Sequence, residues 1–238
     1  HRYILGVYDL YERLTSAFPH VLFESCASGG GRFDPGMLYY APQAWTSDDS
    51  DAAERLKIQY GTSFCYPVVS MGAHVSAVPN HQVNRATPLS TRANAAYFGT
   101  FGYELDLNRL TSEEREQVRA QIAFMKEHRD VIQFGDFYRL LSPFQGNYTA
   151  WMAVSPDRRT ALVGWYKTLN EVNGPFRRLR LRGLDPALCY TVDGTSAHYG
   201  DELMEVGLVT TDSSAGECRD GQRPSRDFDS HIFVLKAD

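Results

Sequence analysis

The chain has 238 residues, enough for one large domain or two modest ones. AVILMFWYC residues make up 43% and charged residues 22%, so there is apolar side chain enough for a buried core. A net charge of -5 argues against a nucleic-acid or anionic-membrane surface, which needs a basic field. No run approaches the ~20 apolar residues of a membrane span, and the first residues do not read as a charged-then-apolar leader with a cleavage site.

His1-Arg2-Tyr3 runs without Met or cap into a helix whose Ile4, Val7, Tyr8, Tyr11 and Leu14 share a face expected to be buried. An uncapped start of this kind reads as the continuation of a longer polypeptide; the alternative is a processed N-terminus. After Pro19, Val21–Cys26 reads as a buried strand ending in the turn Ala27-Ser28-Gly29-Gly30-Gly31. Ala44-Trp45-Thr46 is a short strand running into Ser47-Asp48-Asp49-Ser50-Asp51, and a helix follows from about Ala52 to Tyr60. Asp51 with Glu54 reads as a capping box, as does Thr111 with Glu114 ahead of a helix with Val118, Ile122 and Met125 on its core face. Thr62–Val69 is a further strand candidate, leading to a loop at Gly72–Asn80. Ala93–Tyr103 reads as helix and then strand.

Strand, loop and helix in repetition imply parallel strands with crossover helices, as in a (β/α) barrel with its chemistry at the C-terminal strand ends. A whole barrel takes ~250 residues, so residues 1–135 supply about half of one. From Pro143 the texture changes. Tyr148–Val154, Thr160–Tyr166, Phe176–Leu181, Cys189–Val192, Glu205–Val209 and His231–Lys236 are short strand-like runs between turn clusters such as Asn173-Gly174-Pro175. Residues 143–238 therefore read as a small antiparallel β-sandwich, with Asp212–Asp229 a long polar loop and a basic-out, apolar-in alternation from Arg178.

Cys26, Cys65, Cys189 and Cys218 lack metal-ligand spacing and read as free thiols in a reducing compartment. The sequon at Asn147 is read as a chance match. The acidic turn is the sharpest chemical candidate. Asp51 is spent as a helix cap and Asp49 points away, so Asp48 is left to project toward a barrel axis. Beside a second carboxylate and Trp45 its pKa should rise, as a general acid requires; the alternative is a turn of solvated acids. Cys26 has no base nearby in sequence, which favours a pocket-lining contact over a thiol nucleophile. His74 and His81 are spaced too widely for a metal pair and read as hydrogen-bonded members of a loop at the barrel mouth.

In order along the chain stand Glu24-Ser25-Cys26, Gly-Gly-Gly-Arg-Phe-Asp-Pro-Gly, Trp-Thr-Ser-Asp-Asp, Tyr-Gly-Thr-Ser and Met-Gly-Ala-His-Val-Ser-Ala-Val-Pro-Asn-His-Gln, then Phe101–Leu107 and Tyr199–Met204. This succession resembles a bacterial α-galactosidase of glycoside hydrolase family 36. The resemblance implies a retaining hydrolase of terminal α-galactosides such as melibiose and raffinose-type sugars, with half a (β/α)8 barrel followed by a C-terminal β-sandwich here. It places the acid/base on Asp48 and galactose-pocket contacts on Cys26, Ser28 and Trp45; at Ser28 some relatives carry Gly. The nucleophile aspartate belongs in a Lys-Trp-Asp motif. The only tryptophans here, Trp45, Trp151 and Trp165, are not followed by Asp, so that motif is expected upstream of His1. The resemblance also implies no metal or organic cofactor, a cytoplasmic location and a homo-oligomeric full-length protein. Two alternatives share the pattern: an α-galactosyl transferase of the same family and a non-catalytic carbohydrate-binding protein.

Overall fold

The computed structural model describes residues 1–29, 31–172, 177–210 and 226–237. It is a mixed α/β part followed by an antiparallel sheet. In the first part, α1 (Arg2–Ala17) leads to β1 (Glu24–Ser25), and β2 (Gln43–Ala44) leads to α2 (Ala52–Thr62). β3 (Gly72–Ser76), α3 (Leu89–Ala96), β4 (Thr100–Glu104) and α4 (Ser112–Phe134) complete it. β1 pairs parallel with β2 and β3 with β4, and a parallel bridge from Ala44 to Met71 joins the two pairs. The strands thus follow one another side by side in chain order, the arrangement of a barrel segment.

Several sequence expectations need correction. The Val21–Cys26 strand shrinks to Glu24–Ser25, and Leu22 is 87% exposed because nothing among the described residues packs on it. The face of α1 carrying Ile4, Val7, Tyr8, Tyr11 and Leu14 is only half-buried. Thr62–Val69 is not a strand. Its residues close α2, turn at Ser63–Tyr66 and form a 3-10 turn, Val68–Ser70, begun by Pro67 and tied by the Ser70 hydroxyl donating to the Pro67 carbonyl (2.8 Å). The strand comes next, at Gly72–Ser76, within the supposed loop. Only half of the Asp51–Glu54 box forms. Asp51 accepts the amides of Ala53 and Glu54, but its own amide goes to Asp49 (3.0 Å), which leaves Glu54 to pair with Lys57. The Thr111–Glu114 box is complete.

In the second part, β5 (Asp136–Leu141), β6 (Tyr148–Val154), β7 (Thr160–Lys167), β9 (Cys189–Val192), β10 (Ser196–Tyr199) and β12 (Asp229–Ala237) form one antiparallel sheet in the order β10-β9-β12-β7-β6-β5. A separate ribbon joins β8 (Arg178–Leu179) to β11 (Leu208–Val209). β5 and β10 were not read from the sequence. The expected strand Glu205–Val209 divides into the end of α5 (Gly200–Glu205) and β11. Gly30, the turn 173–175, Phe176, most of the loop after Asp212 and Cys218 lie outside the described residues.

β6 and β7 are near-continuous apolar runs, as strands buried on both faces require, and their successive side chains enter two different layers. Trp151, Ala153, Leu162 and Tyr166 pack with α3 and α4 residues such as Ala95, Val118 and Met125. Ala150, Met152, Val163 and Trp165 pack with Leu179, Leu203 and Leu208 beneath the ribbon and α5. Gly164 lets the two parts meet, since a Cβ there would lie 2.9 Å from the Phe98 ring. The Tyr166 hydroxyl donates to the Asn94 carbonyl (2.7 Å), and Thr91 donates to that of Phe228 (2.6 Å). No helix among the described residues is long and apolar enough to cross a membrane.

Loss of the complete capping box in Thr111→Ala should lower stability by about 1 kcal/mol, with no change in denaturant slope. Asp51→Ala should cost more, because Asp51 is 1% exposed, caps α2 and holds the Arg85 guanidinium. Urea unfolding of both variants checks the order.

Candidate active site

The β1 and β2 ladder is two residues long, extended by the Trp45 amide donating to the Ser25 carbonyl (3.1 Å). From these neighbouring strand ends emerge the turn that carries Cys26 and Ser28 and the turn that carries Asp48. Gly29 brings them together. Its φ is +69°, and a Cβ there would overlap the Asp48 backbone nitrogen and lie 2.6 Å from the Ser47 Cα. Ser28 also adopts a left-handed backbone, φ +49°, where Gly would be less strained. Cys26 is exposed, and its carbonyl accepts from Arg32 (2.9 Å).

Trp45 is half-buried and wedged from several sides. A Cβ on Gly72 would touch its ring at 2.6 Å, the His74 ring packs on it at 4.6 Å, and the Arg55 guanidinium lies 5.3 Å from its centre. Arg55 is buried, donating to the Gly72 carbonyl (2.6 Å), and burial brings its pKa down to about 10. Trp45 also lines a narrow cleft with Ser25, Ala27, Arg32, Phe33 and Tyr66. Cys26, Ser28 and Asp48 are not part of that cleft.

The carboxylates divide by task. Asp49 accepts the Asp51 amide, Asp51 caps α2, and Asp34 caps the 3-10 turn Pro35–Tyr39 while taking the Tyr8 hydroxyl. Glu24 accepts from Gln43 (2.6 Å). Asp48 is exposed, and among the described residues its carboxylate has no hydrogen-bond partner. Asp49, expected to point to solvent or a neighbouring backbone, takes the backbone.

The expectation of hydrogen-bonded imidazoles is corrected in part. His74 lies 3.7 Å from Glu104, beyond hydrogen-bond distance, and packs at a tilt against the Trp45 ring, and His81 is exposed without a partner among the described residues. Sequence reading missed His74 and Arg55 as supports of Trp45. The available signal was the alternation in β3, where Gly72, His74 and Ser76 face away from the fully buried Ala73 and Val75. Among the described residues, no group of three or more His, Cys, Asp or Glu could hold a metal ion.

Gly29→Ala should force the two turns apart and destabilise by more than about 1 kcal/mol, read as a fall in melting temperature; Ser28→Gly should not. Burial holds the His74 pKa below the ordinary 6.5, against the pull of Glu104, and shifts His128 the same way. The unfolded chain therefore takes up these protons first, and stability should fall as pH drops below 6.5 toward the lower folded values. His128→Gln should flatten that slope, measured by urea unfolding between about pH 7.5 and about pH 5.

Residues 1–135 match the Melibiase family model, and residues 148–235 match the glycosyl hydrolase family 36 C-terminal domain. Alpha-galactosidase AgaA of Geobacillus stearothermophilus is 58% identical over 237 residues, all of this chain and 31% of that protein. Alpha-galactosidase 1 of Pediococcus pentosaceus is 50% identical over 209 residues, 87% of this chain and 28% of that protein. A crystal structure of a Geobacillus stearothermophilus AgaA variant in complex with raffinose superposes with a TM-score of 0.93 at 53% identity, covering 100% of this chain and 32% of that one. The chain thus spans about a third of the length of these relatives. With one family model covering more than half its residues and a second covering most of the remainder, the chain belongs to the melibiase family of glycoside hydrolases, and its C-terminal part to the family 36 C-terminal domain.

Proposed function

We propose that this chain is the acid/base-bearing part of a retaining α-galactosidase that hydrolyses terminal α-galactosides. The observation that carries the reading is the Asp48 carboxylate, unengaged on a turn whose other acids are spent on backbone amides. Asp48 as the acid protonates the glycosidic oxygen as the sugar–oxygen bond breaks, then as base takes a proton from the water that releases galactose. Retention needs a second carboxyl ~5–5.5 Å away to attack the anomeric carbon. No Trp-Asp pair stands in these 238 residues, so the attacking group is assigned to a part of the protein outside them.

Cys26, Ser28 and Trp45 are assigned to the galactose pocket. Support comes from the contact of the Gly29 turn with the Asp48 turn and from the packing that fixes Trp45. Relatives crystallised with raffinose and with stachyose support the substrate class. We divide the chain into residues 1–135, the barrel part, and 143–238, the β-domain. The three described cysteines are unpaired, which supports a cytoplasmic location; a homo-oligomeric full-length protein rests on the family resemblance.

In the full-length protein, Asp48→Ala should cut turnover of melibiose by ~10²–10⁴-fold, while an activated aryl α-galactoside suffers less and azide restores part of its turnover. Unchanged melibiose turnover would remove Asp48 from the role. The 238-residue chain alone should hydrolyse no aryl α-galactoside, measured with contaminating host enzyme excluded.

A further inference from the structure

The acidic turn is held from a second direction, by the end of β3 and the segment that follows it. Ser50, two residues after Asp48, is 4% exposed, and each of its polar groups has a partner there. Its amide donates to the Gln82 side-chain oxygen (3.3 Å), its carbonyl accepts from the Ser76 hydroxyl (2.9 Å), and its hydroxyl accepts from the Asn80 amide nitrogen (3.2 Å). Asn80 is 2% exposed and is the hub of this clasp. Its side-chain oxygen accepts the amides of Gln82 (2.9 Å) and Val83 (3.2 Å), and its own amide donates to the Arg85 carbonyl (2.8 Å). Arg92, also buried, donates to the Ser76 carbonyl (2.6 Å) and so fixes the strand end from which the segment departs.

A short polar turn at the surface has no packing of its own to choose one direction. Here the turn is pinned before Asp48 by Gly29 against Ser47 and after it by Ser50, so the backbone at Asp48 has little freedom while its carboxylate remains available. Removing one partner of this clasp leaves a buried polar group unsatisfied, which disfavours any other placement of the turn.

We propose that Asn80 and Ser50 are positioning residues for Asp48, setting the direction of its carboxyl without touching substrate. This deepens the acid/base assignment made above and rests on it. Proton transfer is sensitive to such placement, because a displacement of about 1 Å can cost about 10²-fold in rate.

The test uses Ser50→Ala, Asn80→Ala and Asp48→Ala in the full-length enzyme, comparing kcat/KM for melibiose, whose leaving group needs protonation, with an activated aryl α-galactoside, whose leaving group does not. Both clasp variants should lose about tenfold more on melibiose than on the aryl substrate, a weaker form of the Asp48→Ala pattern. Azide should raise their aryl turnover with formation of galactosyl azide. Equal losses on both substrates would mean that the clasp only supports folding and would overturn the proposal, as would the absence of any loss. Ser50→Ala removes one hydroxyl and leaves the Asn80 turn intact, so it reports even where Asn80→Ala does not fold. If Asp48→Ala shows the leaving-group split and the clasp variants do not, the positioning role alone falls. If Asp48→Ala shows no split, the acid assignment falls and this inference falls with it.

Discussion

The close approach of Gly29 to the backbone of Ser47 and Asp48 is the contact on which the candidate site depends. The paired strands beneath it are two residues long, and so short a ladder cannot by itself orient the turns it launches. Glycine meets two demands there at once: a left-handed backbone and the absence of a Cβ where another backbone passes. The neighbouring Ser28 shares the left-handed conformation at some cost in strain. A turn that tolerates strain next to a residue of chemical interest is what a site fixed by its surroundings looks like.

Support for the acidic turn reaches beyond the α/β part. Behind Asp51, the Arg85 guanidinium pairs with its carboxylate and lies 5.3 Å from the Phe228 ring, at the entry to β12. The carbonyl of Phe228 in turn accepts from Thr91 on α3. The C-terminal sheet is therefore in contact with the structure that holds the site, through Phe228 as well as through the broad packing of Trp151 and Tyr166 on α3 and α4. Because β6 and β7 are buried on both faces, a change in either neighbouring layer is transmitted as a packing change and not absorbed by solvent.

Much of this was legible in the sequence wherever a short-range rule operated. The capping box at Thr111, the alternation of Leu179 and Leu181 with exposed arginines, and the strands at Tyr148–Val154 and Cys189–Val192 all follow from local pattern. The failures share a cause. Val21–Cys26 has the composition of a buried strand, but burial depends on neighbours that composition cannot supply. Thr62–Val69 is rich in β-formers, yet Pro67 and the Ser70 hydroxyl bond commit it to a 3-10 turn. At the site, the turn with Asp48 stood out by its acids. Its support Asn80, and Arg55 and His74 that flank Trp45, did not, since each is identified only by contacts across 17 to 30 residues of chain or by a tilted ring contact.

The three aspartates of the turn show how the same side chain takes different work from its position. Asp51 faces two free amides at the start of α2, where the helix dipole also favours a negative charge, and so becomes a cap. Asp49 stands two residues too early for those amides and accepts the amide of Asp51 instead, which is the bond that displaces Glu54 from the box. With the helix start and the turn satisfied by these two, a third carboxylate adds nothing that the backbone requires. Asp48 occupies the position where the chain has just left β2 and is pressed by Gly29, and no backbone amide among the described residues bonds to its side chain. A side chain released from structural duty on a backbone held from both directions is available for other work, which the proposed acid/base role requires.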